Sequence, residues 1–230
     1  MTLIACALVA TRWTGSSQRR LLSSALIRKH NYQQWMSSVV LSGSRVRLLG
    51  CVRSLRVGRN RDISIEFRNL IQDHGEYLSA LHNVHSLTFV NTRVESIPQD
   101  QFHTCFSAFR GTLTYISLEV FATSFSAFMT LVNYFPNIRS LQLCLLVVVP
   151  DEGPVPSLSR PLRGKLRIHS GVRANISEFF NHFAKLDLEY EELAVGSPSS
   201  YADPRFLETA LRISTSTVKS LRITYRLPRE

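Results

Sequence analysis

Acidic side chains are absent from the start of this 230-residue chain: none occurs before Asp62. Eleven basic residues, from Arg12 to Arg61, accumulate over the same stretch, whereas the remainder carries 16 basic and 17 acidic residues. The formal net charge of +10 therefore belongs to one end and does not describe a basic domain. Cysteine is scarce. The four residues, at 6, 51, 105 and 144, are too few and too widely spaced for a disulfide scaffold, a zinc finger or a redox pair. Ten glycines and nine prolines exclude collagen-like and low-complexity classes. Long hydrophobic runs are lacking as well. Residues 2–10 and Leu141–Val149 fall far short of the roughly 20 residues that span a bilayer. The first run looks like a signal h-region without the positive n-region before it. We expect a soluble chain with no membrane partner, cytoplasmic or nuclear. A mitochondrial transit segment in the Arg-rich start is the alternative. Asn175-Ile176-Ser177 matches a glycosylation acceptor, read as chance without a secretory signal.

What is present is core material: 44% hydrophobic and 10% aromatic residues, in a length suited to one or two domains. A short pattern recurs, apolar at i, i+3 and i+5. It appears at Val52-Leu55-Val57, Val84-Leu87-Phe89, Leu113-Ile116-Leu118, Ile138-Leu141-Leu143, Phe183-Leu186-Leu188 and Val218-Leu221-Ile223. A weaker instance at Arg163-Leu166-Ile168 begins on an arginine. The central residues are 20 to 35 positions apart, near the period of known repeat architectures.

The intervening segments read as helices. Phe67, Leu70, Ile71, Leu78 and Leu81 mark the first, which Gly75 weakens. Phe102, Phe106 and Phe109 mark the second, with Ser96 and Gln99 as a capping box and Pro98 in its first turn. Phe125, Phe128, Leu131, Val132 and Phe135 form a third stripe, stopped by Pro136. Ile176, Phe179, Phe180 and Phe183 follow Asn175 as N-cap. Asp203-Pro204 opens a fifth helix carrying Phe206, Leu207, Ala210 and Leu211. Such stripes are core surfaces. Strand and helix alternate, so the sheet should be parallel, and stacked units would join their apolar faces into one core. Residues 150–161 and 196–204 read as loops.

The phase i, i+3, i+5 resembles the strand signature of leucine-rich repeats, in an irregular, helix-rich form. Asn60 supplies the trailing Asn in one instance, whereas Phe121 and Leu146 stand at that position in others. Cys6-Ala7-Leu8-Val9-Ala10-Thr11-Arg12-Trp13 resembles the end of an F-box, and a basic helical stretch leads from it into the first repeat. The layout is similar to that of fungal F-box proteins with leucine-rich repeats. The resemblance implies an α/β fold: an irregular leucine-rich-repeat-like solenoid over 49–230, with a parallel sheet on one face and helices on the other. A short, partial F-box-like helical segment over 1–48 would precede it. It further implies a substrate receptor of a Skp–cullin–F-box ubiquitin ligase, with Leu8, Val9 and Trp13 toward the Skp adaptor and a protein target on the repeats. The Leu-Pro-containing first helix of an F-box is not among these residues, so an N-terminally truncated F-box is expected and adaptor docking is the open point.

No phosphate loop, dinucleotide fingerprint or nucleophile elbow occurs. His82 and His85 form an H-x-x-H, and His103 sits two before Cys105, but a metal site needs three or four converging ligands. Glu189, Glu191 and Glu192 read as a solvated loop after a strand. We expect no catalytic residues, no cofactor and no metal. Binding of a protein target would fall on the concave sheet face opposite the core, where residues between the apolar positions emerge. The candidate partner-binding residues are Arg56, Thr88, Tyr115, Glu119, Gln142, Arg167, Lys185, Asp187 and Arg222, with Arg and Tyr as anchors. Seven strands at about 4.8 Å give a face roughly 29 Å long. That offers on the order of 400 Å², half of what a stable interface uses per partner, so loops should contribute. The leading reading is a non-enzymatic protein-interaction module. Nucleic-acid binding through the basic first 61 residues is the alternative, weakened because Trp13, Tyr32 and Trp35 form no stacking array. An enzyme of unrecognised type is the third. A last strand near the chain end would expose an edge and lower solubility.

Overall fold

The computed structural model describes residues 20, 23–27, 50–58, 65–66, 71–72, 75, 78–94, 99–149, 157–169, 188–197 and 218–225. The elements are β1 (Ser24–Ile27), β2 (Ser54–Val57), β3 (Ile65–Glu66), β4 (Ser86–Val94), α1 (Gln99–Phe106), β5 (Tyr115–Ser124), α2 (Phe125–Tyr134), β6 (Ser140–Val149), β7 (Leu162–His169), β8 (Leu188–Ser197) and β9 (Ser220–Tyr225). A 3₁₀ turn, Ser107–Phe109, extends α1. All described strands join one parallel sheet in the order β1-β2-β4-β5-β6-β7-β8-β9, with β3 on the far end of β4. The fold is thus α/β, with sequential parallel strands as the apolar pattern predicts.

The pattern works as follows. Its first residue lies before the strand and points inward: Val52, Val84, Leu113 and Ile138 are all buried. The second and third residues alternate onto the same face within the strand. Leu55, Leu87, Ile116, Leu141, Leu166, Leu193 and Leu221 stand in one register row, and Val57, Phe89, Leu118, Leu143, Ile168, Val195 and Ile223 in another. The first row also includes Ala25 of β1. Successive strands are tied at their starts by a repeated device. The carbonyls of Ser23, Arg53, His85 and Thr114 each accept two backbone N–H groups from the next coil, at 2.8–3.1 Å. Side chains reinforce these turns: Asn83 donates to the Gly50 carbonyl, Thr112 to that of Val84 and Asn137 to that of Gly111.

Two expectations are corrected here. The strand beside β7 is β8, Leu188–Ser197, with Leu193 in the row where Leu186 was expected; residues 183–187 lie outside the described residues. Its inward residues, Tyr190, Leu193 and Val195, carry the same i, i+3, i+5 spacing and are buried. Tyr190 in the first position and the Glu191-Glu192 pair hid it behind the more leucine-rich phase just upstream. With β1 and β8 in place, the row from Ala25 to Leu221 steps by 30, 32, 29, 25, 25, 27 and 28 residues, more even than the sequence suggested. Second, the helical reading of 1–48 fails at Ser24–Ile27, which is a strand paired with β2, so the sheet extends into that segment. A repeat with alanine at its centre carries only a weak apolar signal. The remaining residues of 1–48, apart from Arg20 and Ser23, lie outside the described residues.

The helical layer is aromatic. Phe102, Phe106, Phe109 and Phe135 are buried together, with Phe109 and Phe135 stacked at 6.1 Å between centroids. α2 starts on Ser124, whose Oγ accepts from the Ala127 N–H at 3.1 Å, and buries Phe125, Ala127, Phe128, Met129, Leu131 and Val132. The helix ends at Tyr134, just before Pro136, as predicted. Gly75 has a packing reason: an added Cβ would lie 2.6 Å from Cys105 Sγ. The capping residues expected at 96 and 98, and the helices expected from Asn175 and Asp203, lie outside the described residues.

Candidate binding face

The face opposite the core carries three register rows of outward side chains. One runs Ser54, Ser86, Tyr115, Ser140, Lys165, Glu192, Ser220; the next runs Arg56, Thr88, Ser117, Gln142, Arg167, Ala194, Arg222. The third contains Val90, Glu119, Cys144, His169 and Gly196. Eight strands at about 4.8 Å span roughly 34 Å. Of the expected partner-binding residues, Arg56, Thr88, Tyr115, Glu119, Gln142, Arg167 and Arg222 come together on this face. Lys185 and Asp187 lie outside the described residues, and Glu192 and Ala194 of β8 occupy the rows expected for them.

The two halves of the face differ. In the first half the candidates bind one another. Arg56 Nη2 donates to Glu119 Oε2 at 2.7 Å and Nη1 to Oε1 at 3.5 Å, from β2 over β4 to β5. This bridge passes above Thr88 and Val90, which are 8% and 0% exposed. Thr88 is therefore covered, which corrects its expected role as an open contact. Ser117 donates to Glu119 at 3.4 Å, Tyr115 Oη donates to Gln142 Oε1 at 2.9 Å, and Gln142 Nε2 donates to Cys144 Sγ at 3.3 Å. Burial pushes the Tyr115 phenol above its ordinary value, opposed by its hydrogen bond with Ser117 and by the charge of Arg167. Burial likewise raises the Cys144 thiol, opposed by Gln142.

In the second half, charge is arranged as ion pairs between strands. Arg163 meets Glu189 at 2.6 Å, Lys165 meets Glu192 at 2.8 Å and Lys219 meets Glu191 at 3.2 Å. The three glutamates belong to β8, not to a loop as the sequence suggested. A register shift at Gly164/Lys165 leaves Glu191 as an extra residue, so Glu191 and Glu192 both face outward. Gly164 permits this geometry at φ +96°, where an added Cβ would overlap the Arg139 carbonyl oxygen. Arg167 and Arg222 are exposed and have no ion pair among the described residues.

The described end of the 150–161 loop turns to the helical side instead of this face. Ser157 and Ser159 bind Asn133, and Arg160 donates to the Phe135 carbonyl. β8 extends through Ser197, shortening the loop expected from 196; residues 198–204 lie outside the described residues. Between α1 and α2 lies an open cleft of about 480 Å³, lined by Asp100, His103, Arg110 and Tyr134 among others. Three of its polar side chains are internally engaged: Tyr134 Oη lies 3.2 Å from His103 Nδ1, and Arg110 donates to the Tyr134 carbonyl and covers its ring. Among the described residues no three His, Cys, Asp or Glu side chains converge as metal ligands, and no helix is long and apolar enough to cross a membrane.

No family model and no curated protein matches the chain. A solved structure similar to it is the crystal structure of a Bacteroides fragilis protein from the Northeast Structural Genomics Consortium. That likeness covers 90% of this chain and 52% of the other, at 10% identity and a TM-score of 0.41, so this chain spans about half the length of that one.

Proposed function

We propose that this chain is a non-enzymatic protein-interaction module of the leucine-rich-repeat type, acting as the substrate receptor of a Skp–cullin–F-box ubiquitin ligase in the cytoplasm or nucleus. The carrying observation is the alignment of the L-x-x-L-x-L-like pattern across β2, β4, β5, β6, β7, β8 and β9, interrupted by one bulge between β7 and β8. Its inward rows form the core from β1 to β8, whereas Leu221 and Ile223 of β9 are exposed, and its outward rows present a largely polar surface. A broad sheet face of this kind suits a macromolecular target better than a small substrate, which calls for an enclosing pocket. Leu8, Val9 and Trp13 take the adaptor-binding role that the F-box resemblance implies. The test is co-purification of the Skp adaptor with the full chain and with a Leu8→Ala, Val9→Ala, Trp13→Ala variant. Deleting residues 1–48 would be a poor control, because it removes β1. Recovery with the parent chain and loss with the variant supports the receptor reading. No recovery with folded parent chain removes the ligase role and leaves an interaction module.

A further inference from the structure

Charge on the second half of the outward face is unevenly neutralised. Five cations, Arg163, Lys165, Arg167, Lys219 and Arg222, stand on β7 and β9 or just before β9. Three glutamates of β8 neutralise three of them. The excess of two resides in Arg167 and Arg222, which share a register row and flank Ala194 on the strand between them. Two strand spacings put the backbones of the two arginines about 9.6 Å apart. Ala194, with its single methyl, leaves the space between them low.

We propose that Arg167 and Arg222 form an acidic-peptide subsite, taking a segment in polyproline II conformation whose carboxylates lie three residues apart. A polyproline II chain rises about 3.1 Å per residue with three residues per turn. Residues i and i+3 therefore share a face, about 9.3 Å apart, and meet the two guanidiniums together. In a β-strand, side chains three apart point to opposite faces and cannot do so. Each guanidinium can donate two hydrogen bonds to one carboxylate, and each is already exposed, so little desolvation opposes the contact. The charge excess matches a ligand with two negative charges. The subsite rests on the outward face being the binding face, and not on adaptor docking.

The probe is a fluorescently labelled peptide containing Glu-Pro-Pro-Glu, read by anisotropy against the full chain at low salt. Glutamines in place of both glutamates should weaken binding at least tenfold. Arg167→Gln and Arg222→Gln should each weaken it about fivefold, the scale of an exposed charge pair with good geometry. Ala194→Glu keeps both arginines but places a carboxylate between them, and it should abolish binding while circular dichroism stays unchanged. Equal binding of the glutamine peptide, indifference to the three substitutions in folded protein, or no binding at millimolar peptide would each overturn the subsite. So would a single-stranded oligonucleotide that binds in the peptide's place and is lost from Arg167→Gln and Arg222→Gln. Adaptor recovery from the same preparation reads the receptor proposal separately, so either result can fail while the other stands.

Discussion

Arg56 and Glu119 join β2 to β5 across the whole width of β4, with Nη2 2.7 Å from Oε2. The side chains are 40% and 23% exposed, so solvent screens the pair in part. A double-mutant cycle with Arg56→Ala and Glu119→Ala should give a coupling of about 1 kcal/mol, the upper range for a partly exposed bidentate pair. Urea denaturation of the four proteins measures it. A coupling near zero would mean that the bridge covers Thr88 and Val90 without stabilising the sheet.

Gly164 should tolerate no side chain. Its φ of +96° and the Arg139 carbonyl both stand against a Cβ. Gly164→Ala should cost about 3 kcal/mol, the sum of a left-handed backbone penalty and local overpacking. Gly111, whose added Cβ would meet nothing within 4 Å, is the control, and Gly111→Ala should leave the melting temperature nearly unchanged.

Asn91 and Val120 occupy matching places in β4 and β5, between the paired positions Val90↔Glu119 and Thr92↔Phe121. Both backbones are left-handed, at φ 50° and 51°. Asparagine accepts that conformation readily, whereas a β-branched residue does not. Val120→Asn should therefore stabilise the protein by about 1 kcal/mol, and Asn91→Val should destabilise it by a similar amount. Thermal unfolding of the two variants tests the pair in both directions.

The sequence made the sheet legible wherever leucine, valine, isoleucine or phenylalanine held all three places of the repeat, as in β2, β4, β5 and β6. It misled where the apolar signal weakened: Ala25 concealed β1, and Tyr190 with two glutamates concealed β8. The outward residues followed from alternation once the phase was right, so Arg56, Tyr115, Gln142, Arg167 and Arg222 were found. Alternation cannot say which of them bind one another. That depends on side-chain reach across strands, and the Arg56–Glu119 bridge over Thr88 has no trace in spacing. The bulge that turns both Glu191 and Glu192 outward depends on a left-handed glycine in the neighbouring strand, a long-range relation.

Tyr190 should make the protein sensitive to alkali. Burial raises its phenol far above the ordinary value of 10.0, so the folded state holds this proton more tightly than the unfolded state. That contribution is fully present below pH 10 and is lost as pH rises beyond it, at up to about 1.4 kcal/mol per pH unit. The Cys105 and Cys144 thiols, also raised by burial, add a component that begins near their ordinary value of 9.0. Urea midpoints at several pH values from 8 to 11 should fall less steeply for Tyr190→Phe than for the parent. Parallel curves would show that Tyr190 ionises without unfolding.

The doubly engaged carbonyls at the strand starts have a mechanical consequence. The inter-strand hydrogen bonds of the described strands lie along the stacking direction, so tension applied across the sheet loads its strands one after another and not in parallel. Each coil of 25 to 32 residues then yields separately, releasing roughly 80–110 Å of extended chain. The coil lengths, hidden in an equilibrium melt, become readable as a ladder of step sizes when the molecule is pulled apart.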